Sequence, residues 1–156
     1  NVLGLCQVWQ HSHDLAIASL QHALELNPNE ARTRANLANA LVFAGQPEEA
    51  LEQLEIAMRL DPHHPPVYPH HRGRAYFVLR QYDKAELAFS QAVTQAPGWP
   101  WARLMLAAAL TALGKVEAAS AEVEAALKIS PDMKLDQVPM IWPFREQGEL
   151  DHLIGY

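Results

Sequence analysis

The chain has 156 residues with 12 basic against 18 acidic side chains, a formal net charge of −6 that gives no electrostatic footprint for nucleic acid. A hydrophobic share of 49% is that of a folded chain and excludes disorder. No apolar run reaches the roughly 18 residues that span a bilayer, no leader-like opening is present, and the single cysteine, Cys6, forbids an internal disulfide; a cytoplasmic setting with no nucleic-acid or membrane partner is expected.

Pro28, Pro62, Pro97 and Pro131 recur at intervals of 34, 35 and 34 residues, each five residues after an alanine: Ala23, Ala57, Ala92 and Ala126. Seven residues before each of these stands another alanine, Ala16, Ala50, Ala85 and Ala119, with Leu20, Leu54, Phe89 and Val123 between them. A small-large-small face at helical spacing, repeated at such a period, marks a helical repeat. The pattern resembles the tetratricopeptide repeat, which pairs a glycine and aromatics on a first helix with A-x3-F-x2-A on a second and closes on a proline. The resemblance implies an all-α fold: a right-handed helix-turn-helix solenoid, here followed by a C-terminal capping segment.

In chain order, the array is expected over 1–132, with an incomplete first repeat over 1–30, complete repeats over 31–64, 66–99 and 100–132, and a cap over 133–156. The chain opens inside a repeat and reads as a fragment of a longer protein. Leu3 and Gly4 fall at the Leu-Gly positions of a first helix, and Asp14–Leu26 is expected to form the second helix after a turn. The second repeat packs on Leu37, Ala38 and Leu41, with Gly45-Gln46-Pro47 as its turn, since glycine supplies a C-cap conformation and proline pre-sets the next helix. The third matches the family best, through Gly73, Tyr76, Tyr82, Ala85, Phe89, Ala92 and Pro97. Pro69 is tolerable there only in a first turn, so this helix is expected to start near Val67 or Tyr68. The fourth repeat turns at Gly114. Beyond Pro131 the period stops, and a short amphipathic helix over 145–154 is expected to cover the last repeat or to fold into the groove as a ligand mimic.

Asp14, Glu48, Asp83 and Glu117 recur at one repeat position, where each is expected to open a second helix and to interact with its exposed amides rather than to do acid-base chemistry. No phosphate-cradling loop, H-E-x-x-H or cysteine pair with zinc spacing is present, so neither catalysis nor a cofactor is expected. His63, His64, His70 and His71 are close in sequence, but adjacent helical residues diverge by about 100 degrees and no carboxylate or thiolate interrupts the segment. A groove lining that gains charge below neutral pH is the better reading of them.

The family resemblance places ligand contacts on the first helices of the repeats. Carried onto this chain, those positions give Trp9 in the first repeat; Arg32, Asn36, Asn39 and Phe43 in the second; His70, His71, Arg74 and Phe77 in the third; and Trp101, Leu104 and Met105 in the fourth, with Trp99 at the junction. Aromatic anchors among asparagine and arginine are the composition of peptide-binding hot spots. Neither Asn39 nor Arg74 belongs to the alanine ladder, so both are expected to be dispensable for folding. The family's carboxylate clamp for heat-shock chaperone tails finds only Asn36 in place across the first three repeats, which disfavours a chaperone-tail adaptor. A looser likeness, from His63 to Phe89 and the Trp-Pro-Phe tail, is to repeat regions of bacterial class III adenylate cyclases and related regulators. The expected function is a scaffold or regulatory module of a bacterial signalling protein that binds a protein or peptide in its concave groove. Self-assembly into a homo-oligomer is the alternative, and a regulatory region of a nucleotide cyclase a further one.

Overall fold

The computed structural model of the chain describes residues 2–133, with side chains from residue 12 onward. Among them are seven helices and no strand: α1 (Val2–Leu26), α2 (Ala31–Phe43), α3 (Pro47–Leu60), α4 (Val67–Val78), α5 (Tyr82–Gln95), α6 (Pro100–Ala112) and α7 (Val116–Ile129). The expected capping helix over 145–154 lies outside the described residues.

Three helix pairs, α2 with α3, α4 with α5 and α6 with α7, follow one another, and each pair packs on the next. The turn within each pair is set by one residue of positive φ: Gly45 at 76°, Arg80 at 58° and Gly114 at 75°. Two of these are glycine, which enters this region without steric cost. After the turn, Pro47 opens α3 at a position where a missing N–H costs nothing, and Pro100 does the same for α6. Glu48, Asp83 and Glu117 stand in the first turns of α3, α5 and α7, where a negative charge meets unpaired amides. Glu30 caps α2 by accepting from the backbone N–H groups of Arg32 and Thr33, and its carboxyl is held below the usual range chiefly by a hydrogen bond with the Thr33 side chain, helped by these backbone bonds.

From the second repeat onward the ladder alanines are buried as their spacing predicts, while Val123 stays 37% exposed. Ala50, Leu54, Ala57, Ala85, Phe89, Ala92 and Ala126 are wholly buried, so the helices of a pair approach closely enough for dense packing. Gly73 shows how close: a Cβ built there would lie 2.6 Å from two carbons of the Phe89 ring.

The first repeat departs from expectation. In place of a turn and a second helix starting at Asp14, α1 runs unbroken from Val2 to Leu26. His11 stands where the other repeats have Gly45, Arg80 and Gly114, and no glycine or proline interrupts Leu5 to Leu26. Without a stop signal, propagation of the helix costs less than breaking it. Asp14 therefore sits in mid-helix and opens nothing.

A second recurring device is visible in the side chains. Arg34 donates from Nε and Nη2 to the Pro28 carbonyl at 3.0 and 2.7 Å and from Nη1 to Gln53 Oε1 at 2.7 Å. Arg103 repeats this on Pro97 at 3.1 Å and on Glu122 at 2.7 Å. Each arginine staples its repeat to the proline that closes the one before. In the third repeat Pro69 occupies that place, α4 begins at Val67, and Arg72 bonds Gln91 at 2.9 Å instead. An open cleft of about 440 Å³ lies at this junction, lined by Leu51, Glu52, Glu55, Met58, Arg59, Arg72 and Tyr76.

Candidate functional site

The first helices of the pairs touch one another, α2 against α4 and α4 against α6, and so form the inner layer of the solenoid. The residues singled out in the sequence all lie on or beside these helices, but they separate into an exposed rim and a buried floor. Arg32 and Asn36 on α2 are exposed, while Asn39 on α2, Trp101 and Leu104 on α6 and Trp99 before it are half-buried. Trp99 and Trp101 pack against the core cluster that contains Phe89 and Met105. The side chain of Trp9 lies outside the described residues.

Phe43, Phe77 and Met105 correct the expectation of a groove lining, because all three are buried. Phe77 meets the Tyr82 ring edge-on at 5.4 Å between centroids, and Met105 sits inside the same core cluster. Large apolar side chains on an inner helix gain more by entering the seam between repeats than by facing water. They are therefore unavailable as anchors.

The polar members of the floor are tied together. Arg74 donates from Nη1 to Asn39 Oδ1 at 2.8 Å, joining α4 to α2, and its guanidinium carbon stands 4.1 Å from the centroid of the Phe43 ring. His13 of α1 lies against the same ring at 5.9 Å. Arg74 is only 4% exposed, and burial lowers its pKa to about 9. The expectation that Asn39 and Arg74 are dispensable for folding does not hold, since a buried cation bonded across two repeats is part of the packing.

The histidines divide in the same way. His63 is exposed and His64 half-buried against Tyr68, with 5.6 Å between ring centroids. His70 enters the core between Trp99 at 4.5 Å and Phe89 at 5.6 Å, and His71 is buried beside it. Burial first, and then the charge of Arg74, hold His70 well below its ordinary pKa and His71 at about 3. Both rings are neutral at physiological pH. Among the described residues no group of three or more His, Cys, Asp or Glu side chains converges as a metal site, and no helix is long and apolar enough to cross a membrane.

The inner surface is therefore an aromatic and cationic floor, with Asn39 bonded into it, under a partly exposed rim of Arg32, Asn36 and Trp101. Its rim carries exposed hydrogen-bond donors and acceptors. Sequence reasoning missed the Arg34 and Arg103 staples. A signal was available, because the two arginines share one repeat position and their partners Gln53 and Glu122 share another.

Comparison with solved structures places this architecture among known relatives. A crystal structure of MamA superposes with a TM-score of 0.71 at 22% identity, over 92% of this chain and 84% of that one. A MamA fragment from Desulfovibrio magneticus RS-1 gives 0.71 at 17% identity, over 97% of this chain and 89% of that one. The first such domain of Spaghetti (RPAP3), bound to the HSP90 peptide SRMEEVD, gives 0.63 at 27% identity, over 81% and 91%. No curated protein sequence matches the chain. None of these three structures bears on the looser likeness to cyclase-associated repeats. A family model described as tetratricopeptide repeat matches residues 10–68 and 79–136, most of the length, and the chain belongs to the tetratricopeptide-repeat family of protein-interaction modules, generally scaffolds rather than catalysts.

Proposed function

We propose that the inner surface formed by α2, α4 and α6 binds an extended segment of a protein partner, and that the chain is the scaffolding or regulatory part of a larger bacterial signalling protein working in the cytoplasm. The observation that carries the groove reading is the rim: Arg32 and Asn36 are exposed on α2, and Trp101 is half-exposed on α6, above a floor already locked by the Arg74–Asn39 bond. Asparagine bonds both a backbone N–H and a backbone carbonyl, arginine pairs with an acidic side chain, and the indole gives apolar area at low entropic cost. A pre-ordered floor lowers the ordering cost of binding. The related RPAP3 domain is bound to the HSP90 peptide SRMEEVD, which supports a peptide segment as the kind of partner taken here.

The test begins with peptides selected on the chain from a displayed random library. Arg32→Ala combined with Asn36→Ala removes two exposed side chains and should leave the melting temperature unchanged. Binding should weaken at least tenfold, or roughly 1.4 kcal/mol. Unchanged affinity places the partner elsewhere, on the outer helices or on the tail beyond residue 133.

A further inference from the structure

The straight first helix leaves two matching surfaces apart. In the other three repeats the second helix presents its alanines to the first helix of its own pair, and Ala50, Ala57, Ala85, Ala92, Ala119 and Ala126 are 0 to 5% exposed. On α1 the equivalent Ala23 is exposed and Ala16 only half-buried. Ile17, Leu20 and Leu24 of the same helix already pack on the second repeat, so α1 is docked on one side and bare on the other.

The segment that would cover the bare side is carried by the same helix. Leu3 and Gly4 hold the Leu-Gly places of a first helix, and the register of Gly73 on Phe89 maps to Gly4 on Leu20. Along a straight helix these two residues are about 24 Å apart, so they cannot meet within one chain. Two copies laid antiparallel bring them together twice, Gly4 of each against Leu20 of the partner subunit, about a two-fold axis passing beside Ser12. The pairing is self-complementary, as a closed dimer requires.

We propose that a second copy of this chain occupies the exposed alanine face of α1, by mutual exchange of the first halves of α1. The exchange rebuilds between chains the helix pair that the absence of a turn at His11 prevents within one. Where residues of a longer parent protein cover that face, they compete with the dimer. The groove lies on α2, α4 and α6, so either inference can fail without the other.

The test is disulfide capture in the whole chain carrying Cys6→Ser, Gly4→Cys and Leu20→Cys. Mild oxidation should give a covalent dimer. Either single thiol variant should stay uncrosslinked, because like positions are far apart across the axis. A monomer with an internal disulfide would show that the helix folds back on itself, and failure of any link to form would show that the faces do not meet; each overturns the proposal. Sedimentation supplies an independent reading. Ala23→Glu changes a side chain exposed in the single chain and should weaken the dimer at least tenfold with the fold retained, and His11→Gly, which restores a turn, should favour the monomer. A dimer unchanged by Ala23→Glu would also overturn it.

Discussion

Gly73→Ala sets two known effects against each other, and the geometry decides which wins. In mid-helix, alanine is favoured over glycine by roughly 1 kcal/mol, so on propensity alone the substitution stabilises α4. The added methyl, however, would lie 2.6, 2.6 and 2.9 Å from three carbons of the Phe89 ring. That ring is wholly buried and has Ala85, Ala92 and His70 around it, leaving little room to retreat. Overpacking of this kind costs typically ~1 to 3 kcal/mol, and contact with three ring atoms argues for the upper half. A net loss of ~1 to 2 kcal/mol is expected, read from urea denaturation with an unchanged m value. Phe89→Leu should relieve the clash, so that Gly73→Ala on that background is neutral or stabilising and the double-mutant cycle shows a coupling of about 2 kcal/mol. A Gly73→Ala variant more stable than the parent, with no coupling, would refute the close approach of α4 and α5.

Asn39→Ala removes the acceptor of a buried guanidinium and should cost ~1.5 to 3 kcal/mol by the same denaturation assay, far above the few tenths expected of a half-exposed rim residue. His70 and His71 are depressed in the folded chain, so the unfolded chain takes up protons first; stability is full above the ordinary value of 6.5 and is lost as pH falls toward about 3. Denaturation at a series of pH values should show a slope approaching ~1.4 kcal/mol per pH unit for each histidine, reduced in His71→Gln, and a flat profile would contradict their burial. Arg103→Ala breaks the half-buried pair with Glu122 and the bond to the Pro97 carbonyl, and should lower stability by ~1 to 2 kcal/mol, whereas a neutral result would remove the staple from the account.

The repeat frame was legible because packing writes it into the sequence. Where Ala50, Ala57, Ala85, Ala92, Ala119 and Ala126 fall, two helices touch, and a larger residue would force them apart. Position alone did not separate rim from floor. Phe77 and Met105 hold places that the family resemblance assigns to ligand contact, yet side-chain size and the neighbouring seam decide whether such a residue turns outward. Arg74 shows the same limit for a charge: its place suggested a free hand for a ligand, and Asn39 with the Phe43 ring gave it a structural role. The course of α1 was misread for a different reason. The repeat period implies a turn before Asp14, but His11 supplies none of the chemistry that Gly45 and Gly114 supply. Arg80 was equally hidden, since nothing in an arginine announces a positive φ, and only its register with the two glycines marks it.

Amide hydrogen exchange of the chain with and without a selected peptide tests the groove reading most directly. Added protection concentrated in α2, α4 and α6, with α3, α5 and α7 unchanged, is the predicted result. Protection on the outer helices instead, or none on the inner three, would contradict it.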